Sequence, residues 1–173
     1  MVRMQLAGFL IMGVSGSGKS TLGYALAQQL GWDFFDADEF HSAVNIAKMA
    51  AGIPLRDSDR TPWLAALNER LLSSLKADRH AVLACSALKE KYRAELLAGM
   101  ENIAVIHLKG SYDLISSRMS MRAGHFMKSG MLQSQFSALE EPQDALVLDV
   151  AMSLEEMLDT INKKYFISKR SSK

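Results

Sequence analysis

The sequence predicts a three-layer α/β/α fold, in which helices cover both faces of a five-stranded parallel sheet. Short runs of consecutive apolar residues alternate along the chain with segments whose apolar residues recur every three or four positions. Such runs are typical of buried strands, and the periodic segments are typical of helices. A glycine-rich loop follows the first run, which is where α/β proteins of this kind bind ligands.

Five short runs are predicted to form the strands of this sheet. They are Phe9–Met12, Asp33–Ala37, Ala81–Cys85, Ile103–Leu108 and Ala145–Leu148. Right-handed crossovers place the carboxyl ends of parallel strands at one edge of the sheet, so we expect the active site there. The 173 residues suit a single domain, with a core predicted to comprise residues 1–37, 61–117 and 136–173.

Helices are predicted wherever apolar residues share one helical face. These sets are Leu22, Leu26 and Leu30; Leu64, Leu67, Leu71 and Leu75; Leu88, Tyr92 and Leu96; Leu114, Ile115 and Met119; Leu132, Phe136 and Leu139; and Met157, Ile161 and Tyr165. A further short helix is expected around Val44 to Ala51. Gly31 is predicted to end the first helix. The pair Thr61 and Pro62 is typical of a helix start. Ser153 and Glu156 form a capping-box pattern.

The loop after the first strand fits the phosphate-binding pattern G-x-x-x-x-G-K-[ST]. Its glycines let backbone N–H groups point inward, and the following helix adds the partial positive charge of its N terminus. We expect Lys19 to reach the β- and γ-phosphates of ATP and the Ser20 hydroxyl to bind Mg²⁺. The predicted cofactor-binding residues of this loop are Gly13, Val14, Ser15, Gly16, Ser17, Gly18, Lys19, Ser20 and Thr21.

Two acids, Asp36 and Asp38, lie at the end of the second strand. The D-x-D spacing places both side chains on the same side of the strand. We expect Asp36 to help hold Mg²⁺ and Asp38 to accept the proton of an attacking hydroxyl group. The simpler alternative is a pair of solvated loop acids. Asp149 is a second candidate for the metal, because it ends the fifth strand as a Walker-B acid does.

Basic residues near the same edge are candidates for binding an anionic substrate. Arg60 is able to hold a carboxylate through two parallel hydrogen bonds. Lys89 and Arg93 lie four residues apart after the third strand and are predicted to share a helix face. Ser86 and Ala87 are predicted to offer N–H groups at a helix start. For Arg60 the alternative is a solvated loop whose charges pair with one another, and for Lys89 and Arg93 it is an exposed basic helix face.

Two segments interrupt the alternation of strands and helices, and we expect both to cover the phosphate-binding loop. Residues 38–60 form the predicted substrate-binding segment, and residues 118–135 form the predicted lid. In the lid, Arg118 is assigned to the nucleotide and Arg122 to catalysis, as an arginine finger supplied by the same chain. The alternative is a helix end whose dipole favours cations.

The histidines differ in their surroundings. His41 lies in the substrate-binding segment and His125 in the lid, so both are predicted to contact substrate. His107 lies within an apolar strand and is predicted to be a hydrogen-bonded core residue. No spacing of histidine and cysteine residues in the sequence suggests a zinc site.

The composition narrows the class of protein. The net charge of +1 gives no reason to expect a nucleic-acid partner. No apolar run approaches the roughly 20 residues that cross a bilayer, so no membrane partner is expected. The single cysteine, Cys85, excludes an internal disulfide and fits a reducing compartment, which predicts a cytoplasmic location.

Many of these residues together resemble the signature of the gluconokinase family. The matching residues are Asp36-Ala37-Asp38, His41, Asn45, Lys48-Met49, Gly52-Ile53-Pro54-Leu55, Asp57, Asp59-Arg60, Pro62-Trp63-Leu64, Cys85-Ser86-Ala87-Leu88-Lys89, Tyr92-Arg93, Leu108-Lys109-Gly110, Gly124-His125-Phe126, Leu132, Gln135-Phe136 and Leu139-Glu140. The resemblance covers about residues 9 to 150, in order. Ala37 and Ser42 depart from it, since the family often has glycine and proline there.

The resemblance implies ATP-dependent phosphorylation of D-gluconate to 6-phosphogluconate. It also implies a fold like that of shikimate and nucleoside monophosphate kinases, with strand order 2-3-1-4-5, and a homodimer. Two other readings of the residues stay open. One is a kinase for shikimate or a nucleotide, because the fold is shared. The other is a nucleotide-dependent switch or motor, although Asn162 to Tyr165 lacks the acid of N-K-x-D and Val150, not Glu, follows Asp149.

Overall fold

A five-stranded parallel sheet forms the centre of the protein, in the order β2-β3-β1-β4-β5. The computed structural model describes residues 6–121 and 129–165. The strands are β1 (Gly8–Met12), β2 (Asp33–Asp36), β3 (Ala81–Ala84), β4 (Ile103–Lys109) and β5 (Leu146–Asp149). Each pairs in parallel with its neighbours. The predicted parallel sheet and its strand order are therefore confirmed.

Helices lie on both sides of the sheet. They are α1 (Lys19–Leu30), α2 (Ala43–Ala50), α3 (Asp57–Lys76), α4 (Glu90–Leu96), α5 (Tyr112–Ser120), α6 (Ser129–Ala138) and α7 (Leu154–Tyr165), and a short 3₁₀ helix spans Ala37–Phe40. Alternate residues of β1 serve opposite faces. Phe9 and Ile11 pack with α1, α5 and α7, whereas Leu10 and Met12 pack with α3 and α4.

Two helix starts differ from the prediction. Helix α3 begins at Asp57 rather than after Thr61, because the Asp59 carboxylate accepts a hydrogen bond of 2.9 Å from the backbone N–H of Arg56. Acids in the first turn also stabilise that helix end. Pro62 consequently lies inside α3, in its second turn. The substrate-binding segment expected at 38–60 thus comprises the 3₁₀ helix, α2 and the first turn of α3.

Helix α4 begins at Glu90 rather than at Ser86. Ala87 has a φ of 42°, which is incompatible with a right-handed helix. The helix start is capped from a distance, because the Glu140 carboxylate accepts a 2.7 Å hydrogen bond from the N–H of Glu90. The predicted helical N–H groups at Ser86 and Ala87 are therefore wrong, and Lys89 precedes the helix instead of sharing a face with Arg93.

Other local predictions agree with the structure. The capping box is formed, since the N–H of Glu156 donates to Ser153 Oγ (3.2 Å) and the N–H of Ser153 donates to the Glu156 carboxylate (2.7 Å). Gly31 ends α1 in the left-handed conformation. Among the helices that the structure describes, none combines the length and hydropathy of a bilayer crossing.

Replacing Leu26 with alanine is expected to lower the free energy of unfolding by about 2–5 kcal/mol. Leu26 is fully buried between α1 and the sheet, so its truncation leaves a cavity. Urea denaturation followed by circular dichroism measures the change. Leu154→Ala is the control, because Leu154 is 39% exposed and its loss costs about 0.5 kcal/mol or less. Equal losses for both variants would contradict this description of the core.

Candidate active site

The phosphate-binding loop connects β1 to the start of α1 and has an open helix end. No side chain caps the N terminus of α1, and its first turn contains no acid. Its first N–H groups and the helix dipole are thus available to an anion. Gly16 has a φ of 78°, and a Cβ there would lie 2.5 Å from Met119 Cγ. Only glycine fits at this point, where α5 packs against the loop.

Lys19 is held inside the loop. Its ammonium donates a hydrogen bond of 3.0 Å to the carbonyl oxygen of Val14. Burial lowers the pKa of Lys19, and the negative charge of Asp38, the largest of the opposing effects, raises it. A half-buried ammonium that feels the charge of this carboxylate indicates that Lys19 and Asp38 belong to one electrostatic site.

The two residues predicted to hold a metal are in direct contact. Ser20 Oγ donates a hydrogen bond to the Asp36 carboxylate, whose other oxygen accepts from the N–H of Asp38 at 3.0 Å. This contact reaches across β3, which lies between β1 and β2. Gly23 permits it, because a Cβ there would lie 2.7 Å from the ring of Phe34 on β2 and hold α1 away.

Asp149, the alternative metal candidate, lies elsewhere. It ends β5, the edge strand, which β4 separates from β1. Its carboxylate accepts a hydrogen bond of 2.8 Å from the N–H of Ala151, closing a local turn. Asp36 therefore remains the better candidate.

The 3₁₀ helix that bears Asp38 is held by an aromatic side chain of α3. The indole N–H of Trp63 donates to the carbonyl oxygen of Ala37 at 2.8 Å. The ring of His41 stacks on Trp63, with centroids 4.2 Å apart and an angle of 14°. Burial lowers the pKa of His41. The negative charge of Asp38 raises this pKa in part, and the positive charge of Arg60 lowers it further. His41 is therefore neutral near pH 7, and its Nδ1 is buried with no partner among the described residues.

A group of cations surrounds Tyr92 on α4. The guanidinium of Arg60 and the ammonium groups of Lys89 and Lys91 lie 5.4–5.6 Å from the centre of its ring. The Tyr92 hydroxyl donates to Asp57, which also pairs with Lys91. Arg60 donates to the carbonyl oxygen of Leu55 at 2.6 Å. Arg60 and Lys89 are thus brought together, and neither forms an ion pair within the described residues.

The other predicted arginines have structural contacts. Arg93 donates to the carbonyl oxygens of Ala87 (2.8 Å) and Leu88 (3.1 Å), which holds the loop after β3. Arg118 donates to the carbonyl oxygen of Val150 at 2.5 Å, beside the end of β5. Their roles with ligands stay predictions. Arg122 and His125 lie outside the described residues.

Two ionisable groups near the site, the Cys85 thiol and the His107 imidazole, are buried. Burial raises the pKa of Cys85 to about 12, so its thiol is not a nucleophile at neutral pH. His107 is 1% exposed, as expected of a core residue. Its Nδ1 nevertheless lacks a hydrogen-bond partner among the described residues, so the predicted core position is confirmed while this ring nitrogen is not satisfied as predicted.

Three residues of the site were not singled out for a role by sequence reasoning. Trp63 and Tyr92 support the groups around Asp38 and Arg60, as described above. Gln135 on α6 contacts the phosphate-binding loop, since its amide oxygen accepts from the N–H of Ser15 at 2.7 Å. Their only signal in the sequence was their place in the family signature. Contacts over such sequence separations leave no local pattern.

The strand order and the loop geometry together define the class of protein. A phosphate-binding loop after β1, with acids after β2 and a sheet ordered 2-3-1-4-5, is the arrangement of a phosphate-loop kinase.

Comparison with known proteins narrows this class. The family model for shikimate kinase matches residues 15–160. A probable gluconokinase of Mus musculus is 45% identical over 168 residues, which cover 86% of this chain and 91% of that protein. The thermoresistant gluconokinase of Escherichia coli K12 is 46% identical over 151 residues, covering 85% of this chain and 86% of that protein.

A solved structure agrees with these relatives. The crystal structure of a gluconokinase from Sinorhizobium meliloti superposes with a TM-score of 0.79 at 40% identity, covering 92% of this chain and 95% of that one. The chain therefore belongs to the shikimate kinase family in the broad sense and, within it, to the gluconokinase family.

Replacing Asp57 with asparagine is expected to make the stability of the protein less sensitive to acid. Hydrogen bonds from Lys91 and then Tyr92 lower the pKa of Asp57 from 3.8 to about 2. A carboxyl group whose pKa is lowered by folding stabilises the fold above its unfolded pKa, and this contribution is lost as the pH falls through the folded value. It is therefore complete at neutral pH and lost between about pH 4 and pH 2.

Urea unfolding of the wild type and of Asp57→Asn, measured at several pH values from neutral down to pH 2, tests this. The difference in stability between them should shrink as the pH falls. Lys91→Met is the matched variant, and it should flatten the acid dependence in the same sense without adding to the effect of Asp57→Asn. Parallel pH curves for wild type and Asp57→Asn would refute the assignment.

Proposed function

We propose that the protein transfers the γ-phosphoryl group of ATP to the terminal hydroxyl of D-gluconate, giving ADP and 6-phosphogluconate. The observation that carries the proposal is the contact between Ser20 and Asp36, with Asp38 on the next turn and Lys19 beside it. A phosphate-holding group, a metal-binding pair and a candidate base thus meet at one edge of the sheet. The identities of 45% and 46% to gluconokinases support gluconate as the acceptor.

The loop and α1 bind the nucleotide in this proposal. Free N–H groups at the start of α1 hold phosphate oxygens, and Lys19 exchanges the carbonyl oxygen of Val14 for the β- and γ-phosphates. The exchange keeps a hydrogen bond on the ammonium, so binding does not leave this half-buried charge unpaired.

Asp38 is the proposed general base. The gluconate hydroxyl oxygen forms a bond to the γ-phosphorus while the bond from that phosphorus to the β–γ bridging oxygen breaks. The hydroxyl proton goes to the Asp38 carboxylate, and ADP leaves with the electron pair. The contact of the Asp38 N–H with Asp36 and the hydrogen bond from Trp63 to Ala37 orient this residue.

Mg²⁺ fits the pair formed by Ser20 and Asp36. Both offer the hard oxygen ligands that this ion prefers, and the pair lies at the start of α1 where the phosphates bind. Among the described residues, no group of three or more His, Cys, Asp or Glu side chains forms a complete metal cage. The remaining ligands would be water and phosphate oxygens, and the bound ion would neutralise phosphate charge.

The cations around Tyr92 are the proposed site for the gluconate carboxylate. Arg60 and Lys89 share that ring, and Arg60 also influences His41, which lies next to Asp38. A carboxylate bound there would point the other end of the sugar acid toward Asp38. Arg93 is a further candidate because its guanidinium is only half-buried.

Some parts of the proposal rest on the sequence alone. Arg118 is proposed to contact the nucleotide, Arg122 the transferring phosphoryl group and His125 the substrate. A homodimer and a cytoplasmic location are proposed on the same footing, the latter with the single cysteine in support.

A coupled assay of ADP release against a panel of sugar acids, shikimate and nucleoside monophosphates tests the activity. We expect Mg-ATP-dependent turnover with D-gluconate. Lys19→Ala is expected to lower kcat/KM by at least about 100-fold, because it removes a cation from the developing phosphate charge. Lys76→Ala is the control, since Lys76 is exposed in the last turn of α3, at the edge of the sheet opposite the loop. Turnover with shikimate or a nucleotide instead of gluconate would show that the proposed substrate is wrong. No turnover with any compound of the panel would refute the kinase activity.

Replacing Arg60 with alanine is expected to raise the KM for gluconate about 10-fold or more while leaving the KM for ATP nearly unchanged. The physical reason is the loss of a charge-assisted hydrogen bond to the carboxylate. Arg70→Ala is a matched control, because Arg70 also lies on α3 and over an aromatic ring, that of Phe35. Equal effects of the two variants, or an effect of Arg60→Ala confined to ATP, would contradict the carboxylate site.

A further inference from the structure

Gln135 holds the phosphate-binding loop with both ends of its amide. The amide oxygen accepts from the backbone N–H of Ser15 at 2.7 Å, and the amide nitrogen donates to Ser15 Oγ at 2.9 Å. The two residues lie 120 positions apart in the chain. A neutral amide matches this donor and acceptor pair, which neither a carboxylate nor an ammonium group does.

The loop needs such support at this point. Ser15 lies directly before Gly16, which has a positive φ and packs so closely against Met119 of α5 that no Cβ would fit. Within the loop, the N–H of Ser17 reaches the carbonyl oxygen of Val14 only at 3.3 Å. Glycines lose much conformational entropy when they become ordered. If the loop became ordered only when the nucleotide binds, this entropy cost would reduce the affinity for the nucleotide.

Helix α6, which carries Gln135, is fixed in place by packing contacts. Leu132 is 3% exposed in the core, and the ring of Phe136 packs edge-on against Tyr112 of α5, with centroids 5.7 Å apart. After the helix, the N–H of Glu140 donates to the carbonyl oxygen of Leu88 at 2.8 Å. Gln135 therefore extends from an anchored helix and its position is defined by packing.

We propose that Gln135 is a positioning residue for phosphoryl transfer, which acts through Ser15 and keeps the phosphate-binding loop ordered before the nucleotide arrives. This inference rests on the proposed use of ATP but not on the identity of the acceptor. The hydrogen bonds of Gln135 occupy the N–H of Ser15, which leaves phosphate binding to the N–H groups that follow in the loop and at the start of α1. Gln135 contributes to nucleotide affinity without touching the sugar acid.

The test measures binding of Mg-ADP to the full chain by isothermal titration calorimetry, for wild type, Gln135→Met, Ser15→Ala and the double variant. Methionine keeps the length of the side chain and removes both hydrogen bonds. We expect Gln135→Met to weaken binding about 10-fold, the effect of losing two hydrogen bonds. Ser15→Ala removes one of them, so its effect should be smaller and should vanish in the Gln135→Met background.

Gln133→Met is the matched control, because Gln133 lies on α6 and is exposed. It should bind Mg-ADP as the wild type does. In steady-state assays, Gln135→Met should raise the KM for ATP and leave the KM for gluconate unchanged, which a general loss of folding would not do. Urea denaturation of each variant shows that the population measured is folded.

The proposal is overturned if folded Gln135→Met binds Mg-ADP with wild-type affinity, or if the effects of Ser15→Ala and Gln135→Met add. It is also overturned if Gln133→Met is weakened equally. If the wild type fails to phosphorylate gluconate but Gln135→Met still weakens Mg-ADP binding, the inference stands and the proposed acceptor is wrong.

Discussion

The contact between Ser20 and the Asp36 carboxylate is the constraint on which the rest of the site depends. It joins the phosphate-binding loop after β1 to the acid that ends β2, across the width of β3. The two strands are not neighbours, so the contact exists only if α1 packs closely over β3. Gly23 allows that approach, because any side chain there would meet the ring of Phe34. Chain connectivity, helix packing and a small residue together place the two oxygens.

Around this contact, aromatic residues position the charged groups. Trp63 donates a hydrogen bond to the 3₁₀ helix that bears Asp38 and stacks on His41. The Arg60 and Lys89 side chains both lie over the ring of Tyr92. A ring face attracts cations without neutralising them, so these side chains stay able to bind an anion. A carboxylate in the same position would have paired with them. The site therefore combines a cationic region around Tyr92, in which Asp57 pairs with Lys91, with an acidic region at Asp36 and Asp38.

Local patterns predicted the framework, and long-range contacts determined the remainder. Apolar runs located each of the five strands to within one residue at either end. The start of α3 was predicted five residues late, since Thr61 and Pro62 resemble a helix start, whereas Asp59 caps the observed one. The loop before α4 was mistaken for helix because nothing in the sequence marks the positive φ of Ala87. Gln135 was noted only as a match to the family signature, since its partner lies 120 residues away.

The environment of Cys85 has a consequence for the handling of the protein. The thiol is 1% exposed at the end of β3 in the core, and it is the single cysteine of the chain. Because only the thiolate reacts rapidly, alkylating reagents and peroxide must wait until the core opens. The rate at which Cys85 is labelled therefore reports how often the native core opens, and labelling of this thiol measures local unfolding.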